Sequence, residues 1–178
     1  LYGFNGISTY DEENQTWYFI ANGTEESGWI VSSLYKVSAP TEYTDIVSPE
    51  KIEVDGISFD SVQAMAYDDG KLYFGSKEDD FNLHFMEDEQ LKSCSIQITS
   101  QYYSIGELTS LLVKGNEVYF ATTVTSNNQT NNPTTHSAIW KCLLTKDSRS
   151  GRYSLSHSDY PVPYYLTHSD IELTVNDS

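Results

Sequence analysis

Residues 64–76 read Ala-Met-Ala-Tyr-Asp-Asp-Gly-Lys-Leu-Tyr-Phe-Gly-Ser. An apolar segment runs into Asp69-Gly70 and out again into an aromatic segment. Asp-Gly tolerates the positive φ of a primed two-residue turn, so the stretch predicts a β-hairpin. The plan recurs on both sides. Upstream, Ser8-Thr9-Tyr10-Asp11 passes through a polar turn into Thr16-Trp17-Tyr18-Phe19-Ile20-Ala21. Downstream, Leu111-Leu112-Val113-Lys114 passes through Gly115-Asn116 into Glu117-Val118-Tyr119-Phe120-Ala121-Thr122. Each hairpin is followed by a polar loop and a third strand: Ser33–Val37, Leu83–Met86 and Ala138–Cys142. The Tyr-Phe pairs begin at 18, 73 and 119, so the spacing is 55 and then 46 positions. Tyr164-Tyr165 is a weaker fourth copy, and Pro161 and Pro163 beside it demote that segment to an edge or a loop.

Composition agrees with strands. The chain of 178 residues holds 24 aromatics and 37 Val, Ile or Thr, together about a third of the whole, against six Ala. Strand formers therefore outweigh helix formers, and the fold class is all-β. A repeat of about 40–50 residues with three or four strands per unit is the mark of a propeller blade. The expectation is thus β-propeller-like repeats of three- to four-stranded antiparallel blades, with a β-sandwich as the alternative. Residues 1–178 form a single all-β domain or fragment on this reading. Blade-like units lie at about 5–40, 58–92 and 105–146, and C-terminal strands at 150–178. Three blades do not close a ring, so either the chain is an incomplete propeller with exposed sheet edges, or Leu1-Tyr2-Gly3-Phe4 completes a fourth blade with the C-terminal strands, the former being favoured.

The Tyr-Phe pair followed by small or apolar residues, a loop and Leu34-Tyr35-Lys36-Val37 resembles blades of the YWTD, NHL and related bacterial propellers. Ile20-Ala21, Gly75-Ser76 and Ala121-Thr122 stand where a YWTD blade has Thr-Asp. The resemblance covers about residues 5–145 and implies a fold and a general binding role, with no catalytic residue carried over.

Ten Lys and Arg face 26 Asp and Glu, a net charge of −16. Phosphate recognition needs a basic face, so nucleic acid is excluded as a partner. No apolar run approaches the roughly 20 residues of a membrane helix, so no membrane span is expected. The chain opens Leu1-Tyr2-Gly3-Phe4 and its first Met is Met65, which reads as a piece of a longer or processed protein. Four sequons, beginning at Asn14, Asn22, Asn128 and Asn176, mark candidate glycosylation sites. With few Lys and many Tyr, Asn and Thr, they point to a secreted or cell-surface glycoprotein. Cys94 and Cys142 form no zinc-type pair and are either one disulfide or two buried thiols.

The chemical candidates are sparse. Leu155-Ser156-His157-Ser158-Asp159 is echoed by Leu166-Thr167-His168-Ser169-Asp170. On a strand, His and Asp two apart share a face, so His157, Asp159, His168 and Asp170 are candidate metal ligands. Acidic clusters at Asp11-Glu12-Glu13, Asp68-Asp69, Glu78-Asp79-Asp80 and Glu87-Asp88-Glu89 offer oxygens for calcium, but none has EF-hand spacing. Solvated turns are the plainer reading, and no cofactor is expected. Residues 10–17 distantly resemble a sialidase Asp-box, yet an arginine triad is impossible with Arg149 and Arg152 alone. Trp17, Trp29 and Trp140 are candidate binding residues, with core packing the commoner fate of a strand Trp. No Gly-x-Ser-x-Gly elbow occurs. The expected function is a noncatalytic extracellular module that binds a protein or glycan through its loops. A propeller hydrolase using paired carboxylates is one alternative. A structural fragment that pairs with the remainder of a longer chain is another.

Overall fold

A computed structural model describes residues 3–24, 28–40, 42, 46–98, 103–126, 135–157 and 164–165. The protein is all-β, and its strands form three antiparallel meanders in chain order. Sheet 1 comprises β1 (Gly3–Asp11), β2 (Thr16–Thr24), β3 (Ile30–Ser38) and β4 (Glu50–Ile52). Sheet 2 comprises β5 (Ala64–Asp68), β6 (Lys71–Lys77), β7 (Asp80–Glu87) and β8 (Gln90–Gln97). Sheet 3 comprises β9 (Tyr103–Lys114), β10 (Glu117–Ser126), β11 (Thr135–Lys146) and β12 (Tyr153–His157). The two-residue β13 (Tyr164–Tyr165) adds along β11 beyond β12, pairing Ala138 with Tyr165.

The turns follow from residues that accept positive φ. Asp69 and Gly70 sit at φ 46° and 76°, as a type I′ hairpin turn requires. Gly115 takes φ 60° while Asn116 does not follow it, the pattern of a type II′ turn. Asp88 and Glu89 adopt φ 51° and 61° without a Gly or Asn, at a cost the flanking β7–β8 ladder must offset.

The three sheets stack with their first strands side by side, β1 beside β5 and β5 beside β9. Alternation then gives the Tyr-Phe pairs a fixed meaning. Phe74 of sheet 2 is fully buried against sheet 1, where it joins Ile20, Leu34, Phe59, Val62 and Met65. Phe120 of sheet 3 is fully buried against sheet 2, stacked on Phe81 with centroids 3.8 Å apart. Tyr73 projects the opposite way from Phe74 and packs into the sheet 2–sheet 3 core, and Tyr18 stacks on Tyr67 of sheet 2 at 5.8 Å. Where a neighbouring sheet is described, therefore, Tyr faces the following sheet and Phe faces the preceding one. Burying one such Phe removes its whole side chain from water, worth roughly 2–3 kcal/mol.

Polar links reinforce the stack. Gln63 Oε1 accepts from the backbone N–H of Lys77 at 2.9 Å and of Leu108 at 3.2 Å, tying β6 to β9. Asp68 Oδ2 accepts from Gly115 N at 2.7 Å, joining the hairpin turns of sheets 2 and 3. Cys94 and Cys142 are both free thiols in the core between these two sheets.

Candidate functional site

An aromatic sheet face is open to a ligand. In sheet 1, β2 pairs Trp17 with Tyr10 and Val37, and Phe19 with Ser8 and Tyr35. These side chains, with Phe4 and Ala21, share the face that looks away from sheet 2. Phe4 is 60% exposed and Trp17 45%. Phe19 contacts Phe4 edge-on at 6.0 Å and stacks on Tyr35 at 5.7 Å, and Tyr10 tilts against Trp17 at 4.9 Å. No Asp or Glu stands at the paired positions of this face. At its β4 border Lys51 stands opposite Tyr35 and pairs with Glu53 at 2.9 Å.

A shallow cleft of about 240 Å³ opens where the first strands meet, lined by Ser8, Gln63, Met65, Thr109 and Ser110 among others. None of its lining residues is titratable. A second cleft of about 280 Å³ lies beside β3 and β4 and includes Lys51, Glu53 and Asp60. Its acids are engaged: Lys51 pairs with Glu53 at 2.9 Å, and Asp60 accepts from Ser32 N at 3.1 Å.

Glu87 and Asp11 are among the engaged carboxylates. Glu87, at the end of β7, accepts from Tyr153 Oη at 2.5 Å, Lys146 Nζ at 2.9 Å and Lys71 Nζ at 3.0 Å. Those bonds hold its pKa down at about 2, the Tyr153 hydrogen bond contributing most. The arrangement clamps sheet 2 to sheet 3 and engages both carboxylate oxygens. Burial alone would raise the pKa of Asp11, but hydrogen bonds from Asn14, Tyr67 and nearby backbone outweigh it and lower the value. Burial, then the Asp11 hydrogen bond, pushes Tyr67 up to about 12. Asn14 donates to Asp11 at 2.8 Å, so this cluster caps the β1–β2 turn and anchors it to sheet 2.

The sequence candidates distribute unevenly. Trp17 lies on the aromatic face, and Trp29 is 75% exposed just before β3. Trp140 lies in the core between sheets 2 and 3, donating its indole N–H to Thr122 Oγ1 at 2.9 Å. Asn14 is exposed in its turn, whereas Asn22 sits within β2 and accepts from Ser32 Oγ at 3.1 Å. Asn128, Asp159, His168 and Asp170 fall outside the described residues, and for His157 only the backbone is described. Among the described residues no group of three or more His, Cys, Asp or Glu converges as a metal site. The acidic clusters occupy turns or strand ends next to them. Aromatic spacing alone could have located Phe19 and Tyr35, since both alternate with core residues. Nothing local marks Glu87 as a cross-sheet clamp.

No known protein family matches the chain. No curated protein matches it either.

Proposed function

We propose that this protein is a noncatalytic binding module of propeller type, and that its partner is a protein that covers the aromatic face of sheet 1. Exposed Phe4 and Trp17, beside half-buried Tyr10, Phe19 and Tyr35, carry the reading, because soluble proteins seldom leave a contiguous apolar patch open unless something docks on it. Aromatic anchors at the middle of a carboxylate-poor surface are also where binding energy concentrates. The engagement of Glu53, Asp60 and Glu87 in internal bonds favours this over glycan hydrolysis, which needs two carboxyls free to face a substrate. A secreted or cell-surface setting fits the exposed sequon at Asn14.

The test is to challenge the purified protein with protein and glycan arrays beside a panel of glycoside substrates. The expected result is protein binding that weakens at least tenfold in Trp17→Ala, and no turnover. Turnover abolished by one Asp or Glu substitution overturns the reading.

A further inference from the structure

The repeat register says what covers the aromatic face. Tyr-Phe at 18–19, 73–74 and 119–120 occupy equivalent positions in β2, β6 and β10. Phe74 and Phe120 each fill the interface with the preceding sheet and are sealed from water. Phe19 is their counterpart in sheet 1, which no described sheet precedes. Its cross-strand neighbour Tyr35 matches Trp140, the neighbour of Phe120. At the other end of the stack, Tyr119 is the counterpart of Tyr18 and Tyr73, which face the following sheet. Its cross-strand partner Leu112 is 59% exposed, whereas Ala66, paired in the same way with Tyr73, is 5% exposed. Sheet 3 therefore ends in half an interface, and sheet 1 begins with the other half.

The outer face of sheet 3 also carries Ala121 and Ile139, with Thr and Ser at its borders. Its carboxylate Glu117 is neutralised in place by Lys141 and by the Tyr119 hydroxyl, which donates at 2.6 Å. On the sheet 1 side, Lys51 stands opposite Tyr35 and pairs with Glu53 at 2.9 Å. The two chains repel overall at −16 each.

We propose that two copies of this chain join head to tail, the outer face of sheet 3 in one docking on the aromatic face of sheet 1 in the other. The proposal rests on the binding-module reading and names the partner as a second copy. The contact repeats, between chains, the Tyr-to-Phe packing that already joins sheets 1 to 2 and 2 to 3. It is heterologous, so two such contacts either close a ring of two copies or continue as an open stack. Because the net charges oppose it, association strengthens as salt screens them.

The experiment is sedimentation velocity of the full chain from about 1 to 100 µM, at low and high salt, with Trp17→Glu and Leu112→Glu variants. Both positions are exposed, so folding is checked by far-UV circular dichroism, and Tyr10→Glu stands in should Trp17→Glu misfold. Wild type is expected to associate with rising concentration, more so at high salt. Each folded variant alone is expected to stay monomeric, since every contact it makes needs the altered face. Their mixture is expected to form a one-to-one dimer through the single intact pair of faces. A monomeric wild type throughout overturns the proposal, as does a monomeric mixture or self-association of either variant alone. A monomeric wild type that still binds another protein through Trp17 would leave the binding-module reading standing.

Discussion

Truncating Phe120 and Phe19 separately measures whether the sheets stack as described. Phe120 is fully buried, stacked at 3.8 Å on Phe81 and 6.4 Å from the Trp140 ring. Phe120→Ala leaves a void between sheets 2 and 3 that the two flanking ladders cannot close. The expected loss is about 3–5 kcal/mol, of which about 0.5–1.5 is the stacking with Phe81. Phe19 has the same neighbours in sequence pattern but only its own sheet to pack against, through Phe4 and Tyr35. Its truncation is expected to cost about 2 kcal/mol, because the ring is only partly buried and leaves no enclosed void. Urea unfolding followed by far-UV circular dichroism at low protein concentration reads both, as a shift in midpoint at constant slope. The proposed second copy contributes nothing at that dilution. Equal losses for the two variants, or less than about 1 kcal/mol for Phe120→Ala, would refute the assignment of Phe120 to an inter-sheet core and Phe19 to an outer face.

Further outcomes follow from single residues. Glu87 has its pKa lowered from 4.5 to about 2, so the clamp is fully present above about pH 4.5 and is lost as pH falls toward 2. The shift is worth roughly 3 kcal/mol unscreened and about half that with Lys146 half exposed, so wild type should lose ~1.5 kcal/mol over this window and Glu87→Gln should not. Gly75→Ala would bring a Cβ within 2.8 Å of Leu108 and 3.3 Å of Leu111, and a melting scan should show about 1–2 kcal/mol of destabilisation. Glu89→Gly relieves a positive φ of 61° in the β7–β8 turn and is expected to raise stability by about 0.5–1 kcal/mol in the same scan. Burial pushes the Cys94 and Cys142 thiols up to about 11, so labelling with an aromatic disulfide should be slow in the native protein and complete after unfolding. Rapid labelling of both native thiols would contradict their place in the core.

The sequence reveals the hairpins because their signals are local. Asp69-Gly70 and Gly115-Asn116 announce their turns, and the alternation around Tyr18-Phe19, Tyr73-Phe74 and Tyr119-Phe120 announces strands with two apolar faces. The β7–β8 turn is hidden, since Glu89 is a residue that rarely accepts positive φ and Asp88-Glu89 reads as part of one more acidic cluster. The clamp at Glu87 is hidden for another reason: Lys146 and Tyr153 lie 59 and 66 positions away, and no local pattern encodes that meeting. Trp17 and Trp140 show the limit most clearly. Both stand on strands, on the same face as the Phe of their Tyr-Phe pair, yet Trp17 is 45% exposed and Trp140 is buried. The difference is whether a sheet precedes theirs, which a pattern within one blade does not contain.

The most direct measurement is an isotope-edited nuclear Overhauser spectrum of the aromatic side chains. The account predicts contacts from Phe120 to Phe81, from Phe74 to Phe59 and from Tyr18 to Tyr67, all between neighbouring sheets or the segment leading into them. A spectrum in which Phe120 lacks Phe81, or in which Tyr18 contacts Phe19's neighbours Phe4 and Tyr35 in place of Tyr67, would contradict it.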